Sequence, residues 1–98
     1  MSTYVFKVEQ IITYNIIEVI ILYVPTLDSV KVGKIIAKFR QQKGLSQEVL
    51  SGLADIGRSH LSAIERGERK PTLETFYKIC LALGVKMSEV IMEIEETL

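Results

Sequence analysis

The chain carries one cysteine and one histidine in 98 residues, too few donors for a zinc shell and no partner for a disulfide. Cys80 falls inside an apolar helical stretch, where a thiol usually serves as a small core hydrophobe, so a reduced, cytoplasmic setting fits better than a redox site. No metal and no other cofactor is expected. Long uncharged runs are missing too: the stretch after Glu18 is too short for a membrane span, and Glu9, Asn15 and Glu18 interrupt what precedes it. A secretory signal would need a basic leading region and a small-residue cleavage site, and neither is present. With no additional domain to enclose one, no small-molecule ligand is expected. Net charge is also absent, 12 Lys and Arg balancing 12 Asp and Glu, which at first disfavours a polyanionic partner.

The distribution of charge reverses that impression. Residues 29–70 hold nine Lys or Arg and four acids, whereas residues 1–28 hold one and three, and residues 71–98 hold two and five. A local excess of cations within a neutral chain is the footprint expected of a surface that meets nucleic acid. Length and an apolar content of 48% suit one small globular domain with a modest core.

The basic segment contains the most informative pattern, Gly44 to Gly67, which writes two short helices joined by a tight turn. Ser46 caps the first, which is expected to bury Val49, Leu50 and Leu53. Ile56 turns inward at the junction. The second starts near Gly57 and buries Leu61 and Ile64, leaving Arg58, Ser59, His60, Ser62, Ala63 and Arg66 on its remaining surface. Those groups are donors, small residues and cations, with no acid among them. Arg can bond both acceptors of a guanine, and short hydroxyls read either base or phosphate. Arg58, in the first turn, is the best candidate reader of a base.

Three further helices complete the expected all-α, five-helix architecture. One runs from about Val30 to Lys43, capped by Asp28 or Ser29, with Val32, Ile35, Ile36 and Phe39 on one face and Gly44 as its stop. Another follows Pro71 with Thr72 as cap, buries Leu73, Phe76, Ile79, Cys80 and Leu83, and ends at Gly84. The last is capped by Ser88 and carries Val90, Ile91 and Ile94, with a Glu-rich outer face that should point away from a polyanion.

Residues 30–91 resemble the Cro and phage-repressor type of helix-turn-helix domain, the xenobiotic-response-element family, over about two-thirds of the chain. The resemblance rests on Gly44-Leu45-Ser46-Gln47-Glu48, Arg58-Ser59, Leu61-Ser62, Ile64-Glu65-Arg66-Gly67, Arg69, Pro71-Thr72-Leu73, Lys78-Ile79-Cys80 and Ala82-Leu83-Gly84-Val85. Within that family the chain is most similar to controller proteins of restriction-modification systems. It departs from them at Gly57, where the cap is usually Ser, Thr or Asp, and at His60, where the controllers carry Tyr. The resemblance implies a lambda-repressor-like fold, a regulator of transcription that represses or activates, and a homodimer joined through the last helix at Val90, Ile91 and Ile94. It also implies that Arg40 and Glu65 form a structural ion pair and that Gln47 braces the second motif helix.

Double-stranded DNA is therefore the expected partner, met by Ser46, Gln47, Arg58, Ser59, His60, Ser62, Arg66, Arg69 and Lys70. Arg58 and Ser59 would select sequence, and Arg66, Arg69 and Lys70 would hold phosphates. An enzyme is not expected, because Ser59, His60, Ser62 and Glu65 lie along one helix with no acid placed to orient His60. The competing reading is a protein-interaction module on the same scaffold, an antitoxin or anti-repressor.

Residues 1–28 form the unusual part. From Tyr4 to Val24, fifteen of twenty-one residues are Val, Ile, Thr, Tyr or Phe, a composition suited to strands. Two strands, about Tyr4 to Glu9 and Ile16 to Val24, are expected, giving a β-rich arm that dimerises or packs against the helix-turn-helix domain of residues 29–98. Pro25 ends it.

Overall fold

Asp28 starts the helical part: its carboxylate accepts hydrogen bonds from the amides of Val30 at 2.9 Å and Lys31 at 3.3 Å. The computed structural model describes residues 26–98, which form five α-helices: α1 (Ser29–Gln42), α2 (Gln47–Ala54), α3 (Arg58–Glu65), α4 (Leu73–Leu83) and α5 (Met87–Glu96). Both expected strands of residues 1–24 lie outside the described residues.

Local chemistry sets most of the boundaries. The Ser46 hydroxyl accepts from Val49 N at 3.1 Å and opens α2, and the Thr72 hydroxyl accepts from Thr75 N at 3.1 Å and opens α4. Gly84, at φ 70°, closes α4 in the left-handed region that a glycine adopts without steric cost. The start of α5 differs from expectation. It begins at Met87 rather than after Ser88, because the Glu89 carboxylate reaches back to the amide of Lys86, 3.4 Å away, and places Ser88 inside the first turn.

The core gathers one stripe from each helix: Ile36 from α1, Leu50 from α2, Leu61 and Ile64 from α3, Ile79 and Cys80 from α4, and Val90 from α5, all fully buried. Two expectations about burial fail. In α2 the inward face is Leu50, Ser51 and Ala54, so Val49 and Leu53 stand in solvent at 48% and 62% exposure. Small residues at 51 and 54 face the bundle there, and Ser51 is satisfied by donating to the Glu48 carbonyl at 3.0 Å, so its burial costs little. Leu73, the first residue of α4, is 75% exposed, because a side chain at the leading end of a helix leans back beyond the packed turns.

Two glycines let backbones touch. A methyl group on Gly33 would stand 2.3 Å from the carbonyl oxygen of Ile64 and 2.6 Å from that of Glu65, so α1 lies directly on the end of α3. Gly67, at φ 78°, passes just as closely over Val30.

Candidate nucleic-acid interface

The turn before α3 is built by Asp55 in the left-handed conformation, φ 54°, and by Ile56 N bonding back to the carbonyl of Ser51 at 3.0 Å. Asp tolerates that conformation better than branched residues do. Gly57 then takes an extended conformation and contributes no side-chain cap, so the first amides of α3 remain free to meet an acceptor from outside. Arg58 and Ser59 follow, both exposed.

Arg58 and Ser62 on α3 and Arg66 at its C-cap recur at four-residue steps, and Ser59 lies beside them, so one face carries all four. Together with Gln47 from the start of α2 they line a cleft of about 310 Å³, with Glu65 and Glu68 bonded to Gln47 and Arg66 at its margin. Five of the nine expected DNA contacts therefore meet in one place. The other four lie outside it. Ser46 is exposed at the head of α2 with its hydroxyl engaged as the cap. His60 is half-buried, two residues from Arg58 and so turned toward another side of the helix. Arg69 and Lys70 are exposed in the segment after α3, and Lys70 borders a separate apolar groove.

Behind the cleft stands a clamp of three side chains. Arg40 donates through Nε to Glu65 Oε2 at 2.7 Å and through Nη2 to Oε1 at 2.8 Å, and its Nη1 binds the Leu45 carbonyl at 2.8 Å. Gln47 Nε2 also donates to Glu65 Oε1, at 3.0 Å. The hydrogen bond to Glu65 raises the pKa of Arg40 against the opposing effect of burial, so the guanidinium remains charged. The Arg40 and Glu65 side chains are 13% and 5% exposed. Such a pair, bidentate and shielded from water, orients the elements it joins more than it adds net stability. Here it ties α1, the loop before α2, the first residue of α2 and the last residue of α3.

Two residues that shape this surface, Gly33 and Glu68, are not among those expected from the sequence. Gly33 sets how closely α1 approaches α3. Glu68 holds Arg66, its Oε2 accepting from Nε at 2.6 Å, while Arg66 Nη1 donates to the Ser62 hydroxyl. The signal for Glu68 was available in its position two residues after a cation; Gly33 gave none, since its contact is between distant segments.

Of the three residues expected at a dimer interface, the chain's own core takes up Val90 and Ile94, at 1% and 4% exposure, and Ile91 is left at the surface at 38%. Lys38 bonds Glu93 at 2.9 Å and Lys31 bonds the Thr97 carbonyl at 3.0 Å, fixing α5 along α1 with those two side chains inward. The exposed apolar residues of this region are instead Leu73, Tyr77 and Leu81 on α4, with Ile91 and Met92 on α5. Cys80 is buried, and burial pushes its thiol pKa up to about 11. Among the described residues no three His, Cys, Asp or Glu side chains gather to hold a metal, and no helix is long and apolar enough to cross a membrane.

Residues 36–90 match the family model described as helix-turn-helix. The chain therefore belongs to the helix-turn-helix family, in its Cro and phage-repressor branch. It is 39% identical over 66 residues to an uncharacterized HTH-type transcriptional regulator, y4dJ, of Sinorhizobium fredii, a match covering 67% of this chain and 86% of that one. It is 35% identical over 68 residues to the control protein C.MunI of a Mycoplasma species, covering 68% and 92%. Among solved structures, the restriction-modification controller protein C.AhdI of Aeromonas hydrophila superposes with a TM-score of 0.64 at 37% identity, over 66% of this chain and 98% of that one.

Proposed function

We propose that this protein is a sequence-specific regulator of transcription that binds double-stranded DNA as a homodimer on a near-palindromic operator. The observation that carries the reading is the cleft lined by Gln47, Arg58, Ser59, Ser62 and Arg66, placed on the exposed side of an α3 clamped through Glu65. The similarity to regulators and controller proteins supports it.

In this account α3 lies in the major groove. Arg58 reads a guanine through its two acceptors, and Ser59 reads its neighbour. The uncapped amides at the head of α3, with the positive end of its dipole, meet one phosphate, and Ser46 and Gln47 meet another at the head of α2. Arg66, Arg69 and Lys70 contact flanking phosphates and fix register. His60 contributes at the margin of this surface. Two half-sites about 34 Å apart, or a multiple of that, match a two-fold dimer. With Val90 and Ile94 inside the fold, Ile91 is the member of the expected trio left partly exposed, and Tyr77 and Leu81 on α4 with Met92 on α5 supply the apolar surface for a second subunit. Bound over a promoter the dimer blocks polymerase, and bound upstream it activates by contact.

Fluorescence anisotropy with a random duplex pool across a salt series tests the binding step. The expected result is affinity that falls linearly in logarithmic coordinates as salt rises, with one unit of slope for roughly each phosphate neutralised. Absence of binding at low salt, with a second protein captured instead, favours the antitoxin or anti-repressor reading.

A further inference from the structure

On another part of the surface from the cleft, Leu27, Val32, Leu73, Phe76, Ile91 and Ile94 line an almost wholly apolar groove of about 230 Å³ between the start of α1, the start of α4 and α5. Leu73 and Leu27 stand in solvent at 75% and 45% exposure, although both are large aliphatic residues. The groove shares no residue with the DNA cleft. Its volume falls below the roughly 300–1,000 Å³ of sites for drug-sized ligands, and it offers few polar groups to orient one. Aliphatic side chains of a polypeptide suit it better.

We propose that the occupant is residues 16–24 of the same chain. That segment reads Ile-Ile-Glu-Val-Ile-Ile-Leu-Tyr-Val, eight apolar residues of nine. Only Pro25 and Thr26 separate it from Leu27, which already forms part of the groove wall. The chain therefore arrives at the groove carrying the apolar surface the groove lacks. Nine extended residues reach up to about 30 Å, enough to follow a cleft on a domain this small. Tethering gives such a segment an effective concentration of about millimolar, which a separate molecule of equal affinity must exceed to displace it. Seating the segment leaves Arg58, Ser59 and Ser62 open, so DNA binding through the cleft and arm docking proceed together.

Amide hydrogen exchange on the full chain, at several protein concentrations, tests this directly. Residues 16–24 are expected to exchange at least tenfold more slowly than the intrinsic rate of an unstructured chain, equally at every concentration. Leu73→Glu, at a surface position, should remove that slowing while peptides from α1 and α3 keep theirs. Ile20→Glu alters the occupant rather than the wall and should do the same without touching the helical bundle. Exchange at the intrinsic rate in the unaltered chain overturns the proposal, as does slowing that survives both substitutions. Slowing that grows with concentration also overturns it, because a second copy is then the occupant.

Discussion

Glu65, the last residue of α3, receives both Nε and Nη2 of Arg40, at 2.7 and 2.8 Å, so the helix that would read DNA is held at its trailing end by a guanidinium from α1. The same carboxylate accepts Gln47 from the head of α2, which borders the cleft. Geometry at the cleft is thus set from behind by a single acid.

Glu65→Ala leaves Arg40 charged and shielded from water with only the Leu45 carbonyl as partner. Loss of one member of a buried pair costs about 3–5 kcal/mol, and urea unfolding should show a loss in that range. A midpoint unchanged from the unaltered protein would remove the clamp from the account.

Gly33→Ala forces a methyl group against the carbonyls of Ile64 and Glu65. Overpacking of this kind costs about 1–3 kcal/mol, and α3 must also move away from α1. Operator affinity should fall even in the folded fraction, measured at a temperature well below the melting transition. A variant that melts lower yet binds with full affinity would show that this contact stabilises the fold without placing α3.

Arg66 is engaged by Glu68 before any phosphate arrives. Because an exposed ion pair is worth about 0–1 kcal/mol, Glu68→Gln should tighten DNA binding by up to about fivefold at low salt. The gain should shrink as salt screens the pair. Anisotropy titrations at two ionic strengths read both effects, and weaker binding in the variant would contradict this role.

Burial raises the Cys80 thiol to about 11, above its ordinary value of 9.0. Below pH 9 both folded and unfolded chains keep the proton and the contribution to stability is complete. As pH rises from 9 toward 11 the unfolded chain loses the proton first, so stability falls by up to about 1.4 kcal/mol per pH unit. Cys80→Ala should flatten that part of the pH profile relative to the unaltered chain.

Much of this fold was legible because its boundaries are local. Ser46, Thr72 and Gly84 act through bonds or dihedrals within a few residues, and periodicity marked Ile36, Leu61, Ile64 and Ile79 correctly. Side-chain size does not report burial here: Val49, Leu53 and Leu73 are larger than Ser51 and Ala54, but the small residues face the interior. Ser88 is a good cap by type, but the Glu89 carboxylate reaches back to the amide of Lys86 and starts α5 earlier. At the site, Arg58, Ser59, Ser62 and Arg66 could be grouped by helical spacing alone. Their connection through Gln47 to Glu65 and Arg40 came from family resemblance. Gly33 depends on a contact between segments thirty residues apart, which no local pattern encodes. Burial of Val90 and Ile94 in the core likewise depends on packing between distant segments, and periodicity alone does not separate a core face from a dimer face.

Selection of bound duplexes from a random pool, run with the unaltered protein and with Arg58→Ala, decides whether the leading end of α3 reads bases. A near-palindromic site with half-sites spaced by whole turns of DNA is expected, with loss of preference at one base pair per half-site in the variant, costing about 1–3 kcal/mol on the selected operator. An enriched site that Arg58→Ala reads with unchanged preference at every position, or no enrichment at all, would contradict it.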